Sequence, residues 1–154
     1  GRVYPRRVML LQERALDPEV LETSRGTIRL WALGPTIYVV AMRGSMERPH
    51  SDLVMRYGER RWQTAGGHKL HMFHDWLEMG GYESRCRRDL TEWLLHRRDR
   101  YAEVHLAVRS KLVAMGVNAA NVVLGGALRI HTDRDSLERA LLRAVASEPR
   151  TEAD

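Results

Sequence analysis

Two spacings of apolar residues alternate along this chain, and each predicts a different kind of element. A spacing of two, or a short apolar run, is typical of strands. A spacing of three and four residues is typical of helices that bury one face. Strands are predicted at residues 27–33, 36–42, 69–75, 102–108 and 127–132. Helices are predicted at residues 46–64, 83–98, 111–124 and 133–146.

Turn residues separate several of these elements. Gly34 and Pro35 lie between the first two strands and predict a hairpin. Gly80 and Gly81 lie within residues 76–82, which we predict to be a loop that leads from a strand into a helix. Helices are further expected to begin at side chains that cap them: Asp17 (followed by Pro18), Ser84, Ser110 and Asp133.

The order of the predicted elements indicates one α/β domain. After an opening hairpin, helices and strands alternate regularly, which favours a parallel or mixed sheet with helices packed against it. We therefore expect a central four- to five-stranded mixed sheet. The chain divides into an N-terminal arm at 1–25, a domain at 26–147 and a polar C-terminal tail at 148–154. Within the arm, residues 8–16 are expected to form a short strand or a helical turn.

The charge of the chain raises the question of nucleic-acid binding. The formal net charge is +5, but only Lys69 and Lys111 among the 25 basic residues are lysine. This excess of arginine resembles codon bias more than selection for phosphate contacts. Acidic residues are interleaved with the arginines, as on solvated helix faces that pair their own charges. A nucleic-acid partner is therefore less favoured than a protein partner.

Several classes of protein do not fit the sequence. The longest apolar runs fall short of the roughly 20 residues that a membrane-spanning helix needs, so no membrane span is expected. Cys86 is the only cysteine, which excludes an intramolecular disulfide and favours the reducing cytoplasm. His68, His71 and His74 are spaced by three, so alternate side chains of a strand would point them to different faces. We expect neither a metal site nor a cofactor.

One spacing sharpens the interpretation of the fold. Asp75 ends a predicted strand, and Glu83 and Ser84 follow eight and nine residues later at a predicted helix start. With the order of the elements, this makes residues 27–145 resemble a STAS domain, specifically of the SpoIIAA-like branch, which is akin to the lipid-binding Sec14 fold. Phosphorylated members of that family carry an Asp-Ser pair at this separation from the acid.

The resemblance has two departures at this motif. Glu83 stands where the family has Asp, and residues 85–88 (Arg-Cys-Arg-Arg) replace a second serine and a Gly-Leu-Gly stretch. The resemblance implies that Ser84 is a candidate phosphoacceptor, which an added phosphate would turn into a switch. The alternative is a plain helix N-cap, and both roles are compatible. The expected interaction surface comprises Asp75, Trp76, Tyr82, Glu83, Arg85 and Arg88, with Trp76 and Tyr82 exposed in the loop.

The sequence favours a non-enzymatic regulatory or protein-interaction module of the STAS/SpoIIAA-like type. Its partner would be a protein, and a homodimer stays open. No G-x-S-x-G elbow, P-loop or dinucleotide-binding fingerprint is present, so no catalytic residue is assigned. Three alternatives remain: an apolar-ligand carrier of the Sec14 kind, a small hydrolase using Ser84, and a nucleic-acid binder. A deep apolar pocket would favour the carrier, and a hydrogen bond between Ser84 and a histidine would favour the hydrolase.

Overall fold

The computed structural model describes residues 17–148, so the expectations for residues 8–16 and for the end of the tail lie outside the described part of the chain. Ten main elements follow one another along these residues. They are β1 (Glu19–Glu22), β2 (Gly26–Ala32), β3 (Ile37–Met46), α1 (Arg48–Thr64), β4 (Leu70–Tyr82), α2 (Ser84–Leu95), β5 (Tyr101–Val108), α3 (Lys111–Val123), β6 (Leu128–His131) and α4 (Arg134–Ser147). A single 3₁₀ turn, Arg98–Arg100, leads into β5.

The six strands form one mixed sheet in the order β1-β2-β3-β4-β5-β6. The pairs β1·β2 and β2·β3 are antiparallel, and β3 to β6 run parallel to one another. A single α/β domain with a mixed sheet is thus confirmed, with one strand more than the sequence indicated. None of the helices within residues 17–148 is long and apolar enough to cross a membrane.

The sheet separates two apolar cores. Helices α1, α2 and α3 pack over one face, where residues such as Met72, Val104 and Trp93 are buried. Helix α4 covers the other face, against residues such as Phe73 and Leu77. Because helices cover both faces of the sheet, the central strands carry apolar side chains on both faces, and their sequences are nearly continuous apolar runs.

Strand β1 was missed by the sequence analysis. It lies within the predicted arm and pairs with β2, with Glu19 opposite Leu30 and Glu22 opposite Thr27. The prediction that Asp17 caps a helix is therefore wrong. The Asp-Pro pair favours a helix start when only neighbouring residues are considered. The free edge of β2 offers backbone hydrogen bonds to this segment, and these depend on residues further along the chain.

The predicted loop at residues 76–82 is also wrong, because β4 continues without interruption to Tyr82. Its partner β3 likewise runs past the predicted end at residue 42, and Met46 pairs with Tyr82. Two irregularities in the register, after Ala41 and after Gly44, each place an extra residue in β4. Such bulges bend a strand without ending it.

The helices lie close to their predicted positions. Pro49 falls in the first turn of α1, as expected. The side chains of Ser110 and Asp133 cap α3 and α4 by accepting hydrogen bonds from backbone N–H groups, as predicted. Helix α2 differs, because its N-cap residue is Glu83 and not Ser84.

Candidate functional site

An apolar cavity of about 80 Å³ lies between the sheet and helices α2 and α3. Strands β4 and β5 form its floor, and the two helices form its roof. The residues that matter for its chemistry are Met72, His74, Trp76, Tyr82, Arg87 and Gly116. Arg87 is the one charged side chain among the described residues that line it.

The geometry of β4 explains which side chains reach the cavity. Met72, His74 and Trp76 alternate with residues that face α4, so all three lie on the same face of the sheet. Met79 lies three residues after Trp76, so strict alternation would place it on the opposite face of the sheet from the cavity. The bulge after the Ala41–Asp75 pair adds one residue to β4, which returns the following side chains to the cavity face. Met79 therefore also lines the cavity.

Two polar side chains are buried in this apolar setting. His74 is 4% exposed and Trp76 is 8% exposed, and their ring centroids lie 4.7 Å apart. Nδ1 of His74 and Nε1 of Trp76 are buried without a hydrogen-bond partner. Burial lowers the pKa of His74 to about 3, so its imidazole is neutral at physiological pH.

Asp75 lies on the opposite face of the sheet from this cavity. Its carboxylate pairs with Arg134 of α4 at 3.0 Å and accepts a hydrogen bond from the Leu77 N–H at 3.3 Å. Asp75 is buried in the middle of β4 and does not end the strand. Trp76 is buried as well, so the prediction of an exposed loop tryptophan is wrong. These two members of the predicted interaction surface are separated by the sheet.

The remaining members of that surface lie at or near the start of α2. Glu83, Arg85 and Arg88 are exposed, whereas Tyr82 is half-buried. Oε1 of Glu83 accepts a hydrogen bond from the Arg48 N–H at 2.9 Å. The structure therefore brings together only the part of the predicted surface that follows β4.

Ser84 is exposed at the first position of α2. The prediction that its side chain caps the helix is wrong, because it stands one residue beyond the N-cap position. Its hydroxyl makes no hydrogen bond to a histidine anywhere in residues 17–148. The pairing that a hydrolase at Ser84 would need is not formed there.

A second polar cluster, which the sequence analysis missed, joins β5, β6 and α4. Nε2 of His105 lies 3.1 Å from Oε1 of Glu103, and its Nδ1 lies 2.8 Å from Nε2 of His131. Nδ1 of His131 lies 2.5 Å from Oγ of Ser136. Burial is the main cause of the lowered pKa of His105 and of His131. Alternation along β5 predicts that Glu103 and His105 lie on one face of the sheet. Their contacts with β6 and α4 are long-range, so spacing along the chain could not predict them.

Within residues 17–148, the histidines of β4 and α1 lie apart from one another. His74 lies on the cavity face, while His71 approaches Glu103 at 3.9 Å on the other face, as the alternation of the strand predicts. His50 is buried in α1, where its Nδ1 accepts a hydrogen bond from the Glu47 N–H at 2.9 Å. No group of three or more histidine, cysteine or acidic side chains within residues 17–148 could hold a metal ion.

Comparison with known proteins identifies the fold. The chain is similar to the crystal structure of an uncharacterized protein of the DUF3478 family with a SpoIIAA-like fold, from Shewanella loihica PV-4. The TM-score is 0.54 at 11% sequence identity, over 82% of this chain and 93% of the other. No protein-family model matches the sequence. No curated protein matches it either. The chain therefore has a SpoIIAA-like fold.

Proposed function

We propose that this protein is a non-enzymatic module that binds a small apolar ligand in the cavity beneath α2 and α3. The observation that carries the proposal is the cavity itself, which is lined mainly by methionine, leucine, valine and tryptophan side chains. Among the functions that the sequence left open, this is the apolar-ligand carrier. An engineered cavity of about 150 Å³ with a comparable lining binds benzene, so a cavity of about 80 Å³ suits a ligand portion of a few carbon atoms.

The packing cost of an unfilled cavity supports a role in ligand binding. Interiors of proteins are close-packed, and voids larger than a water molecule are few. The side chains around an unfilled apolar space lose packing contacts on that side, which costs stability. A ligand that fills the space would recover part of this cost and would also gain the transfer of its own apolar surface from water.

The experiment compares the thermal stability of the protein with and without a small hydrocarbon. Benzene and 2-methyl-1-pentene are suitable probes, because each is a small hydrocarbon without a polar atom, part of which the cavity can hold. We expect each to raise the Tm in a concentration-dependent way, since a ligand that binds only the native state stabilises it by about 2.7 kcal/mol at a hundredfold excess over Kd. NMR spectra of methyl-labelled methionine should show shifts at Met72 and Met79, which line the cavity.

A matched pair of variants on α3 tests whether the hydrocarbons bind in this cavity. Ala120 is buried and lines the cavity, whereas its neighbour Ala119 is exposed. Ala120→Leu should fill the cavity and abolish the response to both hydrocarbons, and Ala119→Leu should leave it unchanged. An unaltered response in Ala120→Leu, or no response in the wild-type protein, would contradict the proposal.

A second candidate function is a protein-interaction module regulated at Ser84. It is favoured by the exposure of Ser84 at the start of α2, where a phosphate would meet the positive end of the helix dipole. Incubation with ATP and an extract of the native host should then place phosphate on Ser84, as mapped by mass spectrometry. Ser84→Ala is the control. An unmodified Ser84, while another protein in the same extract is phosphorylated, would rule this function out.

A further inference from the structure

A continuous chain of side-chain hydrogen bonds runs from β5 through β6 to α4. Oε1 of Glu103 lies 3.1 Å from Nε2 of His105, and Nδ1 of His105 lies 2.8 Å from Nε2 of His131. Nδ1 of His131 lies 2.5 Å from Oγ of Ser136. Each ring nitrogen of the two histidines therefore has a partner in the chain, and these partners decide which nitrogen carries the proton.

The carboxylate at one end sets the direction of the chain. Burial opposes the ionisation of Glu103, but its hydrogen bond with His105 and its charged neighbours lower its pKa, so it is ionised. A carboxylate can only accept, so Nε2 of His105 carries the proton and donates it. Burial lowers the pKa of His105 and of His131, so each ring is neutral and holds one proton. Nδ1 of His105 is then an acceptor, and Nε2 of His131 donates to it.

The other end of the chain follows from the same reasoning. Because the proton of His131 is on Nε2, its Nδ1 presents a lone pair to Ser136. The hydroxyl of Ser136 therefore donates its proton to His131. A serine that donates to a neutral imidazole, which further hydrogen bonds hold in one tautomer, has the arrangement that activates serine as a nucleophile.

We propose that Ser136 is a modification site that takes an acyl group from an activated ester or thioester, with His131 as its general base. Oγ of Ser136 attacks the carbonyl carbon, and its proton passes to Nδ1 of His131. The bond from that carbon to the leaving oxygen or sulfur then breaks, and the leaving group receives the proton. The transfer occurs once, onto the protein itself, so it does not require an enzyme that turns over.

The surroundings of Ser136 suit this reaction. Ser136 lies in the first turn of α4, where the positive end of the helix dipole favours the negative charge that develops on the carbonyl oxygen. The residue is half-buried beside the exposed Arg134 and Asp135, so a small acyl donor can approach from solvent. His105 stacks on Phe73, which belongs to the core under α4. The site is therefore on the opposite face of the sheet from the apolar cavity and is independent of the proposed function.

The test is acetylation by p-nitrophenyl acetate, stopped with acid and mapped by mass spectrometry. Trypsin cleavage after Arg134 and Arg139 releases residues 135–139, in which Ser136 carries the only hydroxyl. We expect an acetyl group there. Ser84 is the internal control, because it is exposed at the start of another helix and has no histidine partner within residues 17–148.

Variants assign the reactivity to the hydrogen-bonded chain. Ser136→Ala should abolish acetylation of this peptide, and His131→Gln should slow it about a hundredfold, because the general base is lost. Equal acetylation of Ser84 and Ser136, or none at Ser136, would overturn the proposal. Both of these outcomes are read from the wild-type protein, so the test holds even if His131→Gln folds poorly.

Nitrogen-15 NMR of the histidine side chains tests the direction of the chain without any reaction. We expect the proton of His131 on Nε2 and none on Nδ1. Glu103→Gln places an amide, which can also donate, against His105, so the tautomers of His131 should become mixed and acetylation should slow about tenfold. His68→Gln, at an exposed site, should change neither. A proton on Nδ1 of His131 in the wild-type protein would overturn the proposal, as would acetylation that is unchanged in both His131→Gln and Glu103→Gln.

Discussion

The end of the Tyr82 side chain lies directly over Gly116 of α3. A Cβ atom added at Gly116 would stand only 2.1 Å from the Tyr82 hydroxyl oxygen and 2.7 Å from the adjoining ring carbon. Both residues line the cavity. The last residue of β4 therefore packs closely against α3 only because position 116 has no side chain.

Gly116→Val should destabilise the protein by about 1–3 kcal/mol, because the new methyl groups must displace Tyr82. Urea denaturation measures the loss. Ala119→Val is the control on the exposed side of the same helix and should change stability by less than about 0.5 kcal/mol. The double variant with Tyr82→Ala should lose less than the sum of the two single variants. Strict additivity would show that the two residues do not interact.

Stability should fall as the pH is lowered from about 6.5, chiefly because of His74. Its pKa is about 3 in the folded protein and about 6.5 in the unfolded chain, so acid protonates the unfolded chain first. The stabilisation is complete above pH 6.5 and is lost progressively towards pH 3, at up to about 1.4 kcal/mol per pH unit. Burial lowers the pKa of His71, His105 and His131 too, which adds to the loss.

Denaturation between pH 5 and 6.5 measures this dependence, since most carboxylates stay ionised there. His74→Leu should make the slope shallower by about one proton per molecule. His96→Gln removes an exposed histidine and serves as the control. An unchanged slope in His74→Leu would contradict the assignment to His74.

The cluster of Glu103, His105, His131 and Ser136 should contribute to the attachment of β6 and α4. His131→Ala leaves the buried Nδ1 of His105 without its partner, so a loss of about 1–3 kcal/mol is expected. Ser136→Ala should cost less, because His131 is half-buried and can turn to water. His68→Ala, at an exposed site, is the control. Equal stability of His131→Ala and the wild-type protein would exclude this role.

Ser84 and Asp133 should respond differently to alanine. Ser84→Ala should leave stability within about 0.5 kcal/mol, because the side chain is exposed and does not cap α2. Asp133→Ala should cost about 0.5–2 kcal/mol, because Oδ1 of Asp133 accepts a hydrogen bond from the Ser136 N–H at 2.8 Å. Chemical denaturation of the two variants side by side compares them. A larger loss at Ser84 would show that its hydroxyl has a structural role in the first turn.

The sequence by itself determined the class of fold and the positions of the four helices within residues 17–148. Periodicity along each helix is local, and so are caps such as Ser110 and Asp133, whose partners lie within the first turn. The alternation of His71 and His74 across β4 was predictable for the same reason. These features depend on residues that are close together in the chain.

Only the tertiary structure decided where β4 ends and what surrounds it. Gly80 and Gly81 favour a loop locally, yet pairing with β3 keeps the strand extended to Tyr82. That pairing, with its bulges, buries Trp76 and brings Tyr82 to Gly116, which lies in another element. The cavity arises from such long-range packing. Spacing along the chain could not reveal it, because the strength of strand pairing depends on partners distant in sequence.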